Sequence, residues 1–436
     1  MEDLLFGEYE SLGPLGHGAY ADVYKVRHKK LEYIRAIKVL KGFIESDQDE
    51  QYLKFLDECK LLLRLGNGSQ DNIVNIARPR LLYNHALVEM EYIQGCDFDK
   101  YIKESCEGFV PIEEVLGLLE DIGSALAYCH YDIYKYCISP DDKCYVPNAS
   151  GILEPREKSV EELVSLYKVL HNDIHSKNIM RRDDGKYMLL DFGLALAAGG
   201  GTKSSARNAG APEYKPPEKW NNNDLLSEQS DIYSFGVLMY EALTGVVPFG
   251  LAGDPASGEV LFKLQKDHEN TKPSPMKPLR KKTFEARYPG KEWEKDYPDW
   301  LEVLILKCLA KKPADRYANG KELFLQIKEN IWADRQDELA GTEELRDKIK
   351  GLTRENAYFK ERLTDYDETL NELVASLDEA TNNKQPKTAV TGLKKENIIL
   401  KIKTIGGLIG GKFRWLVLSC IAAAVLITFM VASWLN

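Results

Sequence analysis

The sequence predicts an α+β domain that is followed by a coiled-coil helix and one transmembrane helix. Residues 8–332 alternate between strand-like and helix-like spacing of apolar residues, with turn signals between the segments. Residues 335–380 are charged and periodic, and the 21 residues from Trp415 to Leu435 carry no charge. We therefore divide the chain into the domain at 8–332, a coiled coil at 335–380, a linker at 381–412 and a membrane span at 413–435.

Charge and the start of the chain narrow the class of protein. The formal net charge is −10, whereas nucleic-acid binders usually carry a basic excess, so we expect no nucleic-acid partner. The stretch from Met1 to Glu8 is acidic and has no apolar core of the kind that a signal peptide needs. We therefore expect the large domain to lie in the cytoplasm.

The periodic segment fits five heptads of a coiled coil. Two series of residues recur every seven positions and are offset by four, and nine of these ten residues are apolar or aromatic: Leu345, Leu352, Phe359, Tyr366 and Leu373, then Ile349, Asn356, Leu363, Leu370 and Leu377. A single Asn at an a position is typical of a parallel dimer, so we expect a homodimer. A lone amphipathic helix packed on the preceding domain is the alternative, but the period of 3.5 residues favours the coiled coil.

The apolar segment near the C-terminus is long enough to cross a bilayer as a helix. No polar face interrupts it, which argues against the alternative of a buried core helix. Basic residues precede it, at Lys394, Lys395, Lys401, Lys403, Lys412 and Arg414. The positive-inside rule places that side in the cytoplasm. We therefore expect a single-pass, tail-anchored membrane protein whose large domain faces the cytoplasm.

The first strands of the large domain combine a glycine-rich turn with a lysine in an apolar strand. The turn reads Leu15-Gly16-His17-Gly18, and glycines allow a backbone to approach phosphate groups closely. Lys38 follows in the strand Ala36-Ile37-Lys38-Val39, where an unpaired ammonium group would be costly. The helical pattern from Gln51 to Leu65 offers Glu58 as its partner. Together these features indicate a phosphate-binding site.

A second group of polar residues lies farther along the chain. The run His171-Asn172-Asp173-Ile174-His175-Ser176-Lys177-Asn178 can place a base and a metal ligand on one loop. Asp191-Phe192-Gly193 follows after the apolar pair Leu189-Leu190, where an Asp at a strand end suits magnesium. Each of these polar residues could alone be an ordinary turn former, but the order and spacing of the whole set argue against coincidence.

With these motifs, the sequence resembles the eukaryotic-type (Hanks-type) protein kinases over residues 8–332. Later runs are also similar to motifs of that family: Met90-Glu91-Tyr92-Ile93, Pro216-Pro217-Glu218, Asp231 to Gly236, and Arg316, which is placed to pair with Glu218. The resemblance implies a bilobal fold, with a small β-rich N-lobe at about 8–93 and a larger helical C-lobe at about 94–332. It also implies ATP and Mg²⁺ as cofactors and proteins as substrates.

The resemblance also implies a role for each matching residue. Lys38 would hold the α- and β-phosphates and Glu58 would orient it, while Gly16 and Gly18 would cover the phosphates. The residues implied at the adenine are Leu15, Val23, Ala36, Met180 and the backbone of Glu91 and Ile93. Asp173 would accept or orient the proton of the substrate hydroxyl, and Asn178 and Asp191 would hold magnesium.

Several positions depart from the family pattern. Asn172 replaces the Arg that often meets an activation-loop phosphate, so we predict weak dependence on phosphorylation of that loop. His175 replaces the Lys of serine/threonine kinases, and Lys177 is the residue that we expect to supply the missing cation at the γ-phosphate. Ala211 stands where such kinases usually carry Thr, although the Gly210 to Tyr214 run favours Ser/Thr over Tyr as acceptor. Residues 131–160 are interpreted as an insertion, either a docking surface or a tolerated loop.

These features predict an active protein kinase that is tethered to a membrane and autophosphorylates as a dimer. One alternative is a pseudokinase scaffold that signals through the coiled coil, but Lys38, Glu58, Asp173, Asn178 and Asp191 are all present. The other is a small-molecule phosphotransferase, whose loops resemble His171 to His175. The motifs around Asp191, Glu218 and Arg316 favour the protein kinase.

Overall fold

The computed structural model describes residues 7–18, 21–46, 48–66, 70–137, 143–147, 153–197, 210–220, 226–254, 256–339, 351–355 and 357. The chain divides into two compact units, Met1–Asp337 and Glu338–Asn436. The first unit begins with a strand-rich region and continues with a helical one. This order confirms the small β-rich and larger helical lobes that the sequence predicts.

The N-terminal region is a five-stranded antiparallel sheet with the strand order β1-β2-β3-β5-β4. Its strands are β1 (Tyr9–His17), β2 (Ala21–His28), β3 (Ile34–Leu40), β4 (Ile76–Leu82) and β5 (His85–Glu91). Helix α1 (Glu50–Gly66) lies where the spacing of apolar residues predicts a helix. Its buried Phe55 and Cys59 pack with Leu40 of β3 and Val88 of β5, which fixes the helix against the sheet.

Helices form most of the second region. They are α2 (Phe98–Lys100), α3 (Ile112–Ala127), α4 (Tyr134–Cys137), α5 (Val160–Tyr167), α6 (Glu228–Thr244), α7 (Gly258–Asn270), α8 (Met276–Arg287), α9 (Asp299–Cys308) and α10 (Gly320–Leu339). The π-helical turns Tyr101–Ser105 and Tyr128–Asp132 extend α2 and α3. Helix α6, which contains the motif Asp231 to Gly236, is buried along nearly its whole length and forms the centre of the core.

Two small sheets position the loops that carry the predicted chemistry. In one, β10 (Ile179–Arg182) pairs with β11 (Tyr187–Leu189) and with β6 (Gly95–Asp97). In the other, β9 (Val169–Leu170) pairs with β12 (Leu196–Ala197). The loop from β9 to β10 and the loop from β11 to β12 are therefore held side by side at both ends.

The predicted insertion at 131–160 contains regular structure. After α4, strands β7 (Lys143–Pro147) and β8 (Leu153–Glu157) form an antiparallel hairpin. Pro155 pairs with Tyr145 in this two-stranded ribbon, where proline is tolerated because each strand is an edge. Ser159 and Glu162 then form a capping box that starts α5. The described part of the insertion thus contains regular structure, and its role as a docking surface or a tolerated loop stays a prediction.

The predictions for the C-terminal part of the chain fall almost entirely outside the described residues. Of the heptad residues only Leu352 is described, in the short helical stretch 351–355. The predicted membrane span at 413–435 and the linker at 381–412 lie outside them. Among the residues that are described, no helix is both long and apolar enough to cross a membrane. The coiled coil, the span and the domain boundaries remain predictions.

Candidate active site

An ion pair joins the N-terminal sheet to α1. Lys38 on β3 places Nζ 2.6 Å from Oε1 of Glu58 on α1 and 3.7 Å from Oδ1 of Asp191. The pairing of Lys38 with Glu58 confirms the partner that the sequence predicts. Burial disfavours the ammonium form, but the two carboxylates outweigh it and raise the pKa of Lys38. The lysine is therefore a positive charge fixed between the sheet, α1 and the loop of Asp191.

The sheet aligns the residues predicted at the nucleotide in one row. Gly16 on β1 is paired with Val23 on β2, and Val23 is paired with Lys38 on β3. Paired residues on neighbouring strands point to the same face, and Ala36 shares this face because it lies two residues before Lys38. Ala36 is buried and Val23 is half-buried. This face therefore presents small apolar groups beside a cation.

The glycine-rich turn is a tight structure held by side chains. The Gly18 N–H donates to the carbonyl of Ala21 at 2.8 Å, and a Cβ at Gly18 would lie 2.9 Å from that oxygen. Lys41, directly after β3, donates from Nζ to the Gly18 carbonyl at 2.7 Å. Glycine is thus required where the turn closes. The exposed Leu15 precedes it, and residues 19–20 lie outside the described range.

The segment after β5 has the position expected for a hinge between the lobes. The Glu91 N–H donates to the Asn75 carbonyl at 3.1 Å, and its carboxylate accepts from the Asn75 N–H at 2.7 Å. The Glu91 amide is thus used within the N-terminal region, so any contact of this residue with an adenine edge would come from its carbonyl. Ile93 in this segment is half-buried, and half-buried Met180 on β10 pairs with Asp97 of β6.

Asp173 and Asn178 are brought together across their loop. Nδ2 of Asn178 donates to the carbonyl of Asp173 at 2.9 Å and to its Oδ2 at 3.0 Å. Nε2 of His175 lies 3.6 Å from the same Oδ2. Burial alone would raise the pKa of Asp173, but His175, helped by His171 and Lys219, holds that pKa below its ordinary value. Asp173 is therefore a carboxylate whose Oδ2 is committed to its neighbours.

The residues present fit a magnesium site. Because Nδ2 of Asn178 is bound to Asp173, its Oδ1 is the atom left to serve as a ligand. Asp191 is half-exposed with a left-handed backbone (φ +53°), and the Leu190 N–H donates to the Asn178 carbonyl at 2.8 Å, so the two loops are joined. Carboxylate and amide oxygens are ligands that Mg²⁺ prefers.

Buried Asp231 at the start of α6 anchors the loop of Asp173. Its two oxygens accept the N–H groups of His171 and Asn172, each at 2.7 Å. Nε2 of His130 lies 3.0 Å from the same carboxylate. The Nδ1 of His130 accepts a hydrogen bond from the Gly320 N–H at 3.0 Å. Nε2 must therefore carry the hydrogen that is donated to Asp231. The helix end at Gly320 thus fixes the tautomer of the imidazole that supports the loop.

Two further contacts fasten the segment around Glu218. Arg316 donates to both oxygens of Glu218, at 2.7 and 3.0 Å, which confirms the predicted pair. Tyr214 lies 2.9 Å from the Ser176 hydroxyl and donates to Glu241 of α6. The end of the segment at 210–220 is therefore tied to the core and to the loop of Asp173.

Two lysines near the loop of Asp173, Lys177 and Lys219, differ in their exposure. Lys177 is exposed, and its N–H donates to Nδ1 of His175 at 3.3 Å. Lys219, which sequence reasoning missed, is buried and donates from Nζ to the Asn172 carbonyl at 2.6 Å. Only the position of Lys219 next to Glu218, a residue with a predicted buried partner, could have drawn attention to it.

Comparison with known proteins agrees with this geometry. The family described as protein tyrosine and serine/threonine kinase matches residues 10–321. The chain therefore belongs to the protein kinase family.

Relatives carry the name of one branch of this family. A protein of Clostridium acetobutylicum named as a probable serine/threonine-protein kinase is 29% identical over 326 residues, which are 74% of this chain and 40% of the relative. The serine/threonine-protein kinase PrkC of Bacillus subtilis is 26% identical over 333 residues, 76% of this chain and 42% of the relative. PknH of Mycobacterium tuberculosis is 25% identical over 343 residues, 77% and 44% respectively. The chain thus spans about two fifths of the length of these relatives.

Proposed function

We propose that this protein is a serine/threonine-protein kinase that transfers the γ-phosphoryl group of ATP to protein hydroxyls. The observation that carries the proposal is the convergence of Lys38, Glu58 and Asp191 with the Asp173–Asn178 pair. A scaffold without activity would not need a half-buried cation, a half-buried carboxylate base and two oxygen ligands close to one another. The names of the relatives support serine and threonine as acceptors.

The chemistry follows from positions and charges. Lys38, oriented by Glu58, would bind the α- and β-phosphates, and Gly16 and Gly18 would allow the backbone to cover them. Asn178 and Asp191 would hold Mg²⁺, which neutralises phosphate charge when bound. Asp173 would accept or orient the proton of the acceptor hydroxyl through Oδ1, because its Oδ2 is bound to Asn178. Catalysis is thereby positioning plus electrostatic stabilisation of the transferred group.

The test is transfer of radiolabel from γ-labelled ATP by the full chain to itself and to casein, with and without MgCl₂. We expect Mg²⁺-dependent labelling that is lost in Lys38→Met and Asp191→Ala, and acid hydrolysis of the product should release phosphoserine and phosphothreonine. Phosphotyrosine alone would overturn the assigned acceptor. ATP binding without any transfer would support a pseudokinase scaffold, and transfer only to small alcohols or amines would support a small-molecule phosphotransferase.

The location is a second part of the proposal, supported by the sequence alone. The uncharged stretch from Trp415 to Leu435, preceded by basic residues, would tether the kinase domain to the cytoplasmic face of a membrane. The five heptads would hold two such domains together and raise their effective concentration to roughly millimolar, which favours autophosphorylation between the two.

Two deletions test the tether and the dimer separately. Removal of 413–435 should move the protein from the membrane fraction to the soluble fraction. Removal of 334–436 should make autophosphorylation depend on protein concentration. A 413–435 deletion that stays in the membrane fraction contradicts the tether, and full autophosphorylation of the 334–436 deletion at low concentration contradicts the dimer.

A further inference from the structure

Lys219 is a buried lysine that the roles above leave unexplained. It lies in the 3₁₀ turn Pro217–Trp220, directly after Glu218, and only 5% of its surface is exposed. Its Nζ donates to the Asn172 carbonyl at 2.6 Å. Asn172 has a left-handed backbone (φ +63°), and Asp231 accepts its N–H. The residue before Asp173 is thus held at its amide by Asp231 and at its carbonyl by Lys219.

The charge of Lys219 has no close counterion. Within the described residues, no carboxylate oxygen lies within 4.0 Å of its ammonium group. Burial lowers the pKa of Lys219, against the opposing effect of Asp173 and Asp231. A buried ammonium group without an ion pair is costly, so its retention needs an explanation beyond stability. Asp231 already accepts from His130 and from two backbone N–H groups, which leaves Asp173 as the carboxylate with free capacity.

Gly210 shows how Lys219 and Asp173 face each other. A Cβ at Gly210 would lie 2.6 Å from Oδ1 of Asp173 and 3.8 Å from Nζ of Lys219. The two charged groups therefore flank one α-carbon, in a place where any side chain would intrude. The oxygen that faces this place is Oδ1, whereas Oδ2 binds Asn178.

We propose that Lys219 is a positioning residue for Asp173: it holds the Asn172 carbonyl and orients Oδ1 by its charge. Lys219 thereby places a buried positive charge beside Asp173, whereas Lys177, which the sequence assigned as the missing cation, is exposed. This inference rests on the proposed kinase function, because it concerns the residue that receives the acceptor hydroxyl.

The experiment compares Lys219→Met with a matched variant of another partly buried lysine. Lys311 also donates from Nζ to a backbone carbonyl, that of His268 at 2.8 Å, but in the helical core of the domain. With the full chain, ATP and casein, we expect Lys219→Met to lower kcat at least 30-fold and to change KM for ATP less than twofold. Lys311→Met should lower the unfolding midpoint about as much as Lys219→Met does. It should leave kcat within twofold of the wild-type value.

A double variant separates action through Asp173 from a general structural role. If Lys219 acts through Asp173, Lys219→Met should cost no further activity in an Asp173→Asn background. Should Lys219→Met fail to fold, Lys219→Gln retains a donor for the Asn172 carbonyl without the charge, and it should still lower kcat at least tenfold. The inference is overturned by Lys219 variants with kcat within threefold of wild type, or by losses that multiply in the double variant.

The outcomes distinguish this inference from the proposed function. If the wild-type chain transfers no phosphate, the proposed function fails. If the wild type is active and Lys219→Met is equally active, only the role of Lys219 fails.

Discussion

The 2.6 Å contact between Nζ of Lys38 and Oε1 of Glu58 links the N-terminal sheet to α1. Asp191 lies 3.7 Å from the same nitrogen, so a loop of the helical region completes the group. The charge that would bind phosphates is therefore oriented by both parts of the domain, and the position of α1 determines whether it is available.

Glu58→Gln should lower the rate of phosphoryl transfer about 100-fold, because misplacing a phosphate-binding group by about 1 Å has an effect of that size. The measurement is kcat/KM for ATP with the full chain. Glu50→Gln on the same helix is the control, since Glu50 is exposed and pairs only with Lys54 at 2.6 Å among the described side chains. Equal rates for the two variants would contradict the role of the ion pair.

Replacing Thr202, Ser204 and Ser205 together with Ala should leave most of the activity. These residues lie outside the described ranges, but Asn172 occupies the position of the family's phosphate-binding Arg and donates instead to the Leu194 carbonyl at 3.4 Å. This neutral contact requires no phosphate. The measurement is casein phosphorylation by the wild type and by the triple variant, each assayed with and without prior phosphatase treatment. A near-total loss of activity in the triple variant would refute the prediction.

Acid should destabilise the domain through His268. The buried imidazole lies 2.9 Å from the Tyr233 hydroxyl, near Lys311 and the rings of Trp220 and Phe249. Burial, together with the charge of Lys311, lowers the pKa of His268 to about 3. Below about pH 6.5, His268 therefore binds a proton in the unfolded chain but stays neutral in the folded domain.

Because of the lowered pKa of His268, the free energy of unfolding should fall by about 1.4 kcal/mol per pH unit as pH drops from about 6 to 4. Urea denaturation at several pH values measures this slope, and His268→Gln should flatten the curve. The control is His17→Gln, because His17 is exposed and its replacement should leave the slope unchanged. An unchanged slope in His268→Gln would show that His268 is not the group responsible.

Two glycines in helices should respond to alanine with opposite signs. A Cβ at Gly236 in α6 would lie 2.7 Å from Cβ of Cys308 in α9, so Gly236→Ala should destabilise the domain by about 1–3 kcal/mol. At Gly117 in α3 the nearest atom, in Tyr187, is 3.7 Å away. Gly117→Ala should therefore stabilise the domain by up to about 1 kcal/mol through helix propensity. Thermal unfolding checks both, and equal shifts would contradict the packing of α6 on α9.

The sequence was informative where burial forces a residue to have a partner. A lysine in an apolar strand needs an anion, which pointed from Lys38 to Glu58, and the same reasoning linked Glu218 to Arg316. The alternation of the sheet and the period of α1 followed from the spacing of apolar residues. These features depend on local pattern and on pairwise chemistry, and both can be seen in a single sequence.

Other features depend on how distant segments meet. Apart from its position next to Glu218, nothing in the local sequence indicates that Lys219 is buried; the contact of its turn with the loop of Asn172 creates its environment. The pairing of β7 with β8 was not predicted from the sequence, and this two-stranded ribbon tolerates Pro147 and Pro155 because each strand has an open edge. The link from Gly320 through His130 to Asp231 joins residues that are far apart in sequence.

That link determines where the kinase domain can be cut. The Gly320 N–H is bound to His130, and a Cβ at Gly320 would lie 2.4 Å from the Leu126 carbonyl, so the start of α10 fits closely against the end of α3. Leu323 and Ile327 of α10 are fully buried. A recombinant fragment that ends soon after Arg316 would expose this apolar surface and leave the catalytic loop without one of its supports. The shortest self-sufficient fragment must therefore include the buried part of α10, from Gly320 to Ile331, although the Arg316 motif is the last sequence signature of the family.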